Sequence, residues 1–166
     1  STLTSGFTWL QDNRHLLVYT VPENRGNPPK KSQVPTGPNI QETAGKVSTV
    51  RTYQDLLQTS HDIELFDYYT TSQILEIDVV SGSTRKISGP GIYLSANSSP
   101  DGKLMLVYRI KKPYSYAVPY RSFTHSLEIW DRDGNLVHFF ADFPLADEIP
   151  IRGVRTGPRS VGWRPL

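Results

Sequence analysis

The feature that most constrains this chain is an internal echo. "WLQDNRHLLVYTV" (Trp9–Val21) and "SSPDGKLMLVYRI" (Ser98–Ile110) align without a gap. Asp12 falls on Asp101, Arg14 on Lys103, and Leu17-Val18-Tyr19 on Leu106-Val107-Tyr108. Asp-Gly between apolar runs is the strongest short-range signal for a tight β-hairpin. A second pair of segments also matches. "SQILEIDVVSGSTRKIS" (Ser72–Ser88) resembles "HSLEIWDRDGNLVHFF" (His125–Phe140), each with a Leu-Glu-Ile strand, a glycine turn and a second strand. The chain therefore reads as two hairpins, given twice.

Four antiparallel strands repeating in sequence predict an all-β chain, a partial β-propeller in which each blade buries its faces against its neighbours. The first blade spans about 6–88, with expected strands Gly6–Leu10, Leu16–Val21, Ile74–Val79 and Arg85–Ser88 and an insertion at 23–69. The second spans about 91–141, with Gly91–Asn97, Leu104–Ile110, Leu127–Trp130 and Leu136–Ala141. "SVGWRPL" (160–166) matches the start of the first blade, Trp163 on Trp9, and is expected to open a third. One eight-stranded β-sandwich is the competing architecture, but matching paired hairpins are not expected of it. Two blades and a fragment do not close a ring. A piece of a longer chain is the plainer reading, and several copies closing a ring the other. Open blade faces would also make the isolated piece self-associate.

Composition agrees with strands and ordered loops: 9 Tyr and 13 Pro against a single Met. A net charge of +2 does not by itself argue for nucleic acid, and the longest apolar runs, such as Leu104–Tyr108, are far too short to span a membrane. With no cysteine there is no disulfide and no thiolate metal site.

The turns inside the hairpins are short, and the long segments all fall between them: 23–69, 111–125 and 142–160. In an up-and-down sheet these connections leave from the same end, where a rigid scaffold carries its function. The first contains Asn27-Pro28-Pro29 and Thr36-Gly37-Pro38, marking an extended loop, then helical spacing in Thr52–Tyr69 that predicts one or two short helices. Three stretches are basic and free of acids. Asn24–Ile40 carries Arg25, Lys30 and Lys31; Arg109–His125 carries Arg109, Lys111, Lys112 and Arg121; Ile151–Leu166 carries Arg152, Arg155, Arg159 and Arg164. Together they read either as ordinary solvated charge or as an electropositive mouth that draws in anionic groups. Tyr114, Tyr116 and Tyr120 stand in the same basic loop, where they either meet a peptide or nucleic-acid ligand or pack the loop down. The candidate substrate-binding set is Arg109, Tyr114, Tyr116, Tyr120, Arg121, Arg155 and Arg159.

No catalytic, metal or cofactor residues are assigned. There is no Gly-x-Ser-x-Gly elbow, Ser160 in "GPRSVG" has the wrong spacing, and His15, His61, His125 and His138 have no evident serine and acid partners. Asp131, Asp133 and Asn135 alternate as calcium ligands do, but Gly134 is misplaced for that loop and marks a hairpin turn instead. No HExxH and no phosphate loop occur.

"FTWLQDNRHLLVYTVPENRGNPPKKSQVPTGPNIQ", "RTYQDLL", "DYYTTSQ", "RIKKPYSYAVPY" and "VRTGPRSVGWR" resemble the N-terminal propeller of the prolyl oligopeptidase family, in its glutamyl endopeptidase branch of plant chloroplasts and bacterial relatives. The resemblance implies a serine peptidase whose propeller covers a C-terminal α/β-hydrolase domain and limits substrates to peptides able to enter between them. The triad would lie in that second domain, so these residues would not be catalytic on their own. A preference for cleavage after Glu would fit the basic loops. A plant relative implies a plastid and a bacterial one export, and nothing in these residues decides between them. The alternative function is a stand-alone propeller that binds partners on its loop face.

Overall fold

The computed structural model describes residues 3, 6–31, 53–149 and 153–164. It contains β1 (Phe7–Trp9), β2 (His15–Thr20), α1 (Ser60–Thr70), β3 (Gln73–Asp78), β4 (Thr84–Lys86), β5 (Ile92–Ser98), β6 (Leu104–Ile110), β7 (His125–Asp131) and β8 (Leu136–Phe143), with a 3-10 turn at Tyr120–Ser122. The strands form two four-stranded sheets in the order β1-β2-β3-β4 and β5-β6-β7-β8, every pair antiparallel. The echoed segments become equivalent strands, β2 and β6, each second in its sheet. Their turns are equivalent too. Asn13 (φ 51°) takes the left-handed position that Gly102 (φ 71°) takes in the second copy, a conformation asparagine and glycine adopt most readily.

Alternation along the strands then decides what faces what. Leu17, Tyr19 and Ile74 from the first sheet meet Tyr93, Ala96, Met105, Val107 and Trp130 from the second in one buried cluster, with Leu10 and Ile87. Leu17, Ile74 and Val107 are fully excluded from solvent. Each such side chain contributes about 1.5–3 kcal/mol on burial. The opposite face of the second sheet buries Leu106, Leu127 and Phe143 under Val161 and Trp163. The Trp163 indole N–H donates to the Asn97 carbonyl at 2.9 Å. The sequence leads one to expect a new strand at 160–166, but the described residues of that stretch, 160–164, hold none. A strand needs a hydrogen-bonded neighbour, and here the segment is held by side-chain packing rather than by a ladder.

The one α-helix among the described residues, α1, occupies the second half of the stretch expected to be helical. Thr59 caps it: its hydroxyl accepts from Asp62 N at 3.2 Å, and the Asp62 carboxylate accepts from Thr59 N at 2.8 Å, a reciprocal capping box. Asn27-Pro28-Pro29 carries no helix or strand, and Thr36-Gly37-Pro38 lies outside the described residues.

Candidate functional site

The last pairs of β2–β3 and β6–β7 are Thr20↔Gln73 and Ile110↔His125, and the connections that leave there meet in space. Phe66 of α1 packs edge-on against Tyr114 (5.1 Å between centroids) and Phe123 (5.6 Å) of the β6–β7 loop. Buried Ile92, Ile110, Val118 and Phe123 gather Leu57, Phe66, Tyr114, Tyr120 and Leu145 around them, forming a second core beneath the loops. The segment after β8 is tied in by Ala146 N donating to Ser122 O at 2.9 Å and by Arg155 Nη2 donating to Arg121 O at 3.3 Å. One end of the molecule is thus a packed platform of three connections.

The candidate residues divide on this platform. Arg109 does not face it. On β6 it shares a face with Val107 and points toward the first sheet, where Nη1 lies 3.7 Å from Glu128 Oε2. Buried Glu128 also accepts from Ser126 Oγ at 2.6 Å and Trp130 Nε1 at 2.8 Å, and the Arg109 guanidinium lies over Tyr93 and Trp130. Tyr114 is a packing residue: it stacks on Phe123 at 5.1 Å and its hydroxyl donates to Asp67. Burial, then that carboxylate, holds its ionisation well above the ordinary phenol value. Tyr116 is half-buried. Tyr120 opens the 3-10 turn with the Arg121 guanidinium 5.5 Å over its ring.

Arg121 and Arg159 are exposed and Arg155 is half-buried. Among the described residues none of the three lies within ion-pair distance of a carboxylate. Desolvation lowers the Arg155 pKa from its ordinary value, which marks a cation without an anionic partner. The neighbouring lysines differ. Lys111 pairs with Asp142 at 3.0 Å and Lys112 with Asp67 at 2.6 Å. The acid-free stretches of sequence therefore meet acids brought from α1 and β8. Of the candidate residues, Arg121, Arg155 and Arg159 are the cations that no carboxylate among the described residues pairs with. Arg152 lies outside the described residues.

Two groups were not singled out from sequence. At the short-turn end, buried Glu76 accepts from Arg132 Nε at 2.9 Å and Arg85 Nη2 at 3.2 Å. Arg132 also reaches Asp12 at 3.2 Å, Arg85 reaches Asp133, and Arg14 pairs with Asp78 at 2.6 Å. This network ties β3 and β4 to the β7–β8 turn. A signal existed: Glu76 and Asp78 share a face with core Ile74, and acids there need cations. The second is the seating of Arg25, whose guanidinium lies over the rings of Tyr68 and Tyr69 on α1.

Among the described residues the histidine hydrogen bonds and ion pairs go to carboxylates or a backbone carbonyl, not to a serine or threonine hydroxyl. His15 Nδ1 lies 2.7 Å from Asp12 Oδ2, His61 Nδ1 lies 3.5 Å from Glu64, and buried His125 bonds the Phe123 carbonyl at 2.9 Å. Burial lowers the His125 pKa, with Arg155 acting in the same sense. Among the described residues no group of three or more metal-ligating side chains converges. A guanidinium left without a carboxylate partner is chemically able to donate paired hydrogen bonds to an oxyanion.

No family model and no solved structure matches the chain. Among curated proteins, it is 44% identical over 162 residues to a "Probable glutamyl endopeptidase, chloroplastic" of Oryza sativa subsp. japonica, covering 96% of this chain. It is 44% identical over 161 residues, or 95% of this chain, to the protein of the same description from Arabidopsis thaliana. The chain spans 17% of the length of each. The resemblance to the glutamyl endopeptidase branch of the prolyl oligopeptidase family thus runs through nearly the whole chain.

Proposed function

We propose that this chain is a propeller portion of a serine peptidase of the glutamyl endopeptidase type. It supplies two adjacent blades and the approach to a third, over a catalytic α/β-hydrolase domain carried elsewhere in the parent protein. The observation that carries the reading is the pairing of two equivalent four-stranded meanders face to face, in a chain 44% identical to such proteins. Two details support it. Trp163 covers the outer face of the second sheet. The matching Trp9, with Phe7, lies exposed on the far face of the first, 50% and 60% accessible, where a preceding blade or a second copy would sit. In this role the loop platform meets the catalytic domain and admits peptides. Arg121, Arg155 and Arg159 receive an acidic side chain, and Tyr116 and Tyr120 flank it.

The test is single replacement by alanine in the full-length parent, comparing cleavage after Glu with cleavage after Gln. Arg155→Ala, which removes a half-buried cation, is expected to cost about 2–5 kcal/mol in discrimination. Arg121→Ala and Arg159→Ala, on exposed groups, are expected to cost under about 1 kcal/mol and to lose their effect at high salt. Arg109→Ala is expected to lower stability and leave the ratio unchanged, because its partner is Glu128. If no variant moves the ratio, the platform does not set specificity.

A further inference from the structure

His125 opens β7 beneath the segment that follows β8, and it is 7% exposed. Its ring lies flat on Phe143, 4.7 Å between centroids and 12° between planes, with the Tyr108 ring 6.1 Å away. Phe143 and Tyr108 belong to the cluster that Val161 and Trp163 cover. His125 Nδ1 lies 2.9 Å from the Phe123 carbonyl oxygen. A carbonyl only accepts, so the neutral ring carries its proton on Nδ1, and a second proton must enter at Nε2. The same short stretch of backbone holds the connection after β8. Ser122 O accepts from Ala146 N at 2.9 Å, and Arg121 O accepts from Arg155 Nη2 at 3.3 Å. His125 and Arg155 are thus both tied to carbonyls of the β6–β7 loop.

The charged and titratable groups that face the ring come from three elements. Burial holds the His125 pKa below its ordinary value of 6.5, with Arg155 of the connection adding to that effect and Asp142 of β8 opposing it. Asp142 is shared with Lys111 at 3.0 Å. Tyr108 of β6 stays neutral, since burial raises its pKa. A proton on His125 therefore sets a second cation near Arg155, which has no carboxylate partner, and both are partly out of water. Moving Arg155 into solvent relieves that repulsion. We propose that His125 is a pH-sensitive latch: while its ring is neutral, Arg155 seats the connection 153–159 against the β6–β7 loop, and when the ring gains a proton the connection is released. A seated ring is harder to protonate than a released one, which titrates near 6.5. The seated form is therefore fully favoured above about pH 6.5 and loses ground as pH falls below it, by at most about tenfold per pH unit for one proton. The consequence, that acid withdraws Arg155 and Arg159 from the platform, bears on the function proposed above. The latch itself does not depend on that function.

The experiment is site-directed spin labelling of the full chain, which contains no cysteine of its own. Val154 is 62% exposed and adjoins Arg155, so a nitroxide on Val154→Cys reports the connection. A nitroxide on Lys103→Cys, in the exposed turn before β6, is the control. The mobile fraction at 154 is expected to rise at least about threefold between about pH 7.5 and about pH 5.5, while the label at 103 and the circular dichroism spectrum stay unchanged. His125→Phe keeps a flat ring against Phe143 and cannot take a proton, so the label at 154 is expected to become independent of pH. Arg155→Gln removes the repelled cation and is expected to at least halve the response. No response at 154, a response undiminished in His125→Phe, or an equal response at 103 would overturn the proposal. Should circular dichroism show His125→Phe to be disturbed, Arg155→Gln decides: a full response there rejects the latch.

Discussion

Gly134 is the position where the joining of the two sheets is most directly open to test. It lies in the β7–β8 turn with φ +86°, and a Cβ placed there would fall 1.8 Å from the carbonyl oxygen of Ile87. Ordinary contact is about 3.5 Å, so Gly134→Ala must drive the turn and Ile87 apart by more than about 1.5 Å. Ile87 is not free to retreat. It is 5% exposed within the inter-sheet core, and its N–H donates to Ile74 O at 2.9 Å. Two costs add: about 1–2 kcal/mol for a left-handed non-glycine residue and about 1–3 kcal/mol for the forced separation. A control isolates the second. Gly102 has φ +71° in the equivalent turn of the first hairpin of its sheet, with nothing within 4 Å of its missing Cβ. Gly102→Ala should therefore cost only about 1–2 kcal/mol, and Gly134→Ala about 2–5 kcal/mol. Urea unfolding followed by tryptophan fluorescence reads both, because Trp130 lies in the core between the sheets. Thermal midpoints should fall by about 2–4 °C per kcal/mol. Equal destabilisation by the two alanines would mean that the turn does not press on Ile87, and the argument for close sheet packing would fail.

The network at the short-turn end gives two further expectations. Glu76→Gln keeps the shape but removes the charge that Arg85 and Arg132 share; both arginines are about two-fifths exposed and keep Asp133 and Asp12. The expected loss is therefore only about 1–2 kcal/mol by chemical denaturation, with measurable coupling to Arg132→Met in a double-mutant cycle; a loss near zero, or strict additivity, would show that the network contributes nothing. The Arg14 side chain, then the backbone N–H of Val80, holds the Asp78 pKa far below its ordinary value. A depressed acid stabilises the fold fully above its unfolded pKa of about 3.9, and that stabilisation drains away as pH falls toward the folded value. Asp78→Asn should accordingly flatten the acid limb of the stability–pH curve below about pH 4, and an unchanged limb would assign the acid sensitivity to other groups.

The eight strands were legible because their signals are local. The alternation in Leu104–Ile110 and the turns at Asp101-Gly102 and Asp133-Gly134 specify strands and hairpins without reference to anything distant, and β6 has the limits its pattern implies. Repetition of the unit carried that reading to the order of strands in each sheet. Equivalent segments must solve the same burial problem in the same way. The helix was legible in kind, though its first turn was fixed by the Thr59–Asp62 box. What the sequence could not assign was the partner of each charge. Lys112 stands in an acid-free stretch, yet it meets Asp67, because Phe66 docks α1 against Tyr114 and Phe123. Arg109 belongs to the same basic run, yet the period of the strand turns it inward to Glu128. Trp163 matched the opening of a strand, but pairing needs a neighbour as well as a pattern, and it packs as a cover instead. Strand propensity and turn chemistry act over a few residues, so the sequence alone contains them. Coulomb attraction and burial depend on distance in space, and only the packing of helix and loops on the two sheets sets which guanidinium groups of the platform stay unpaired.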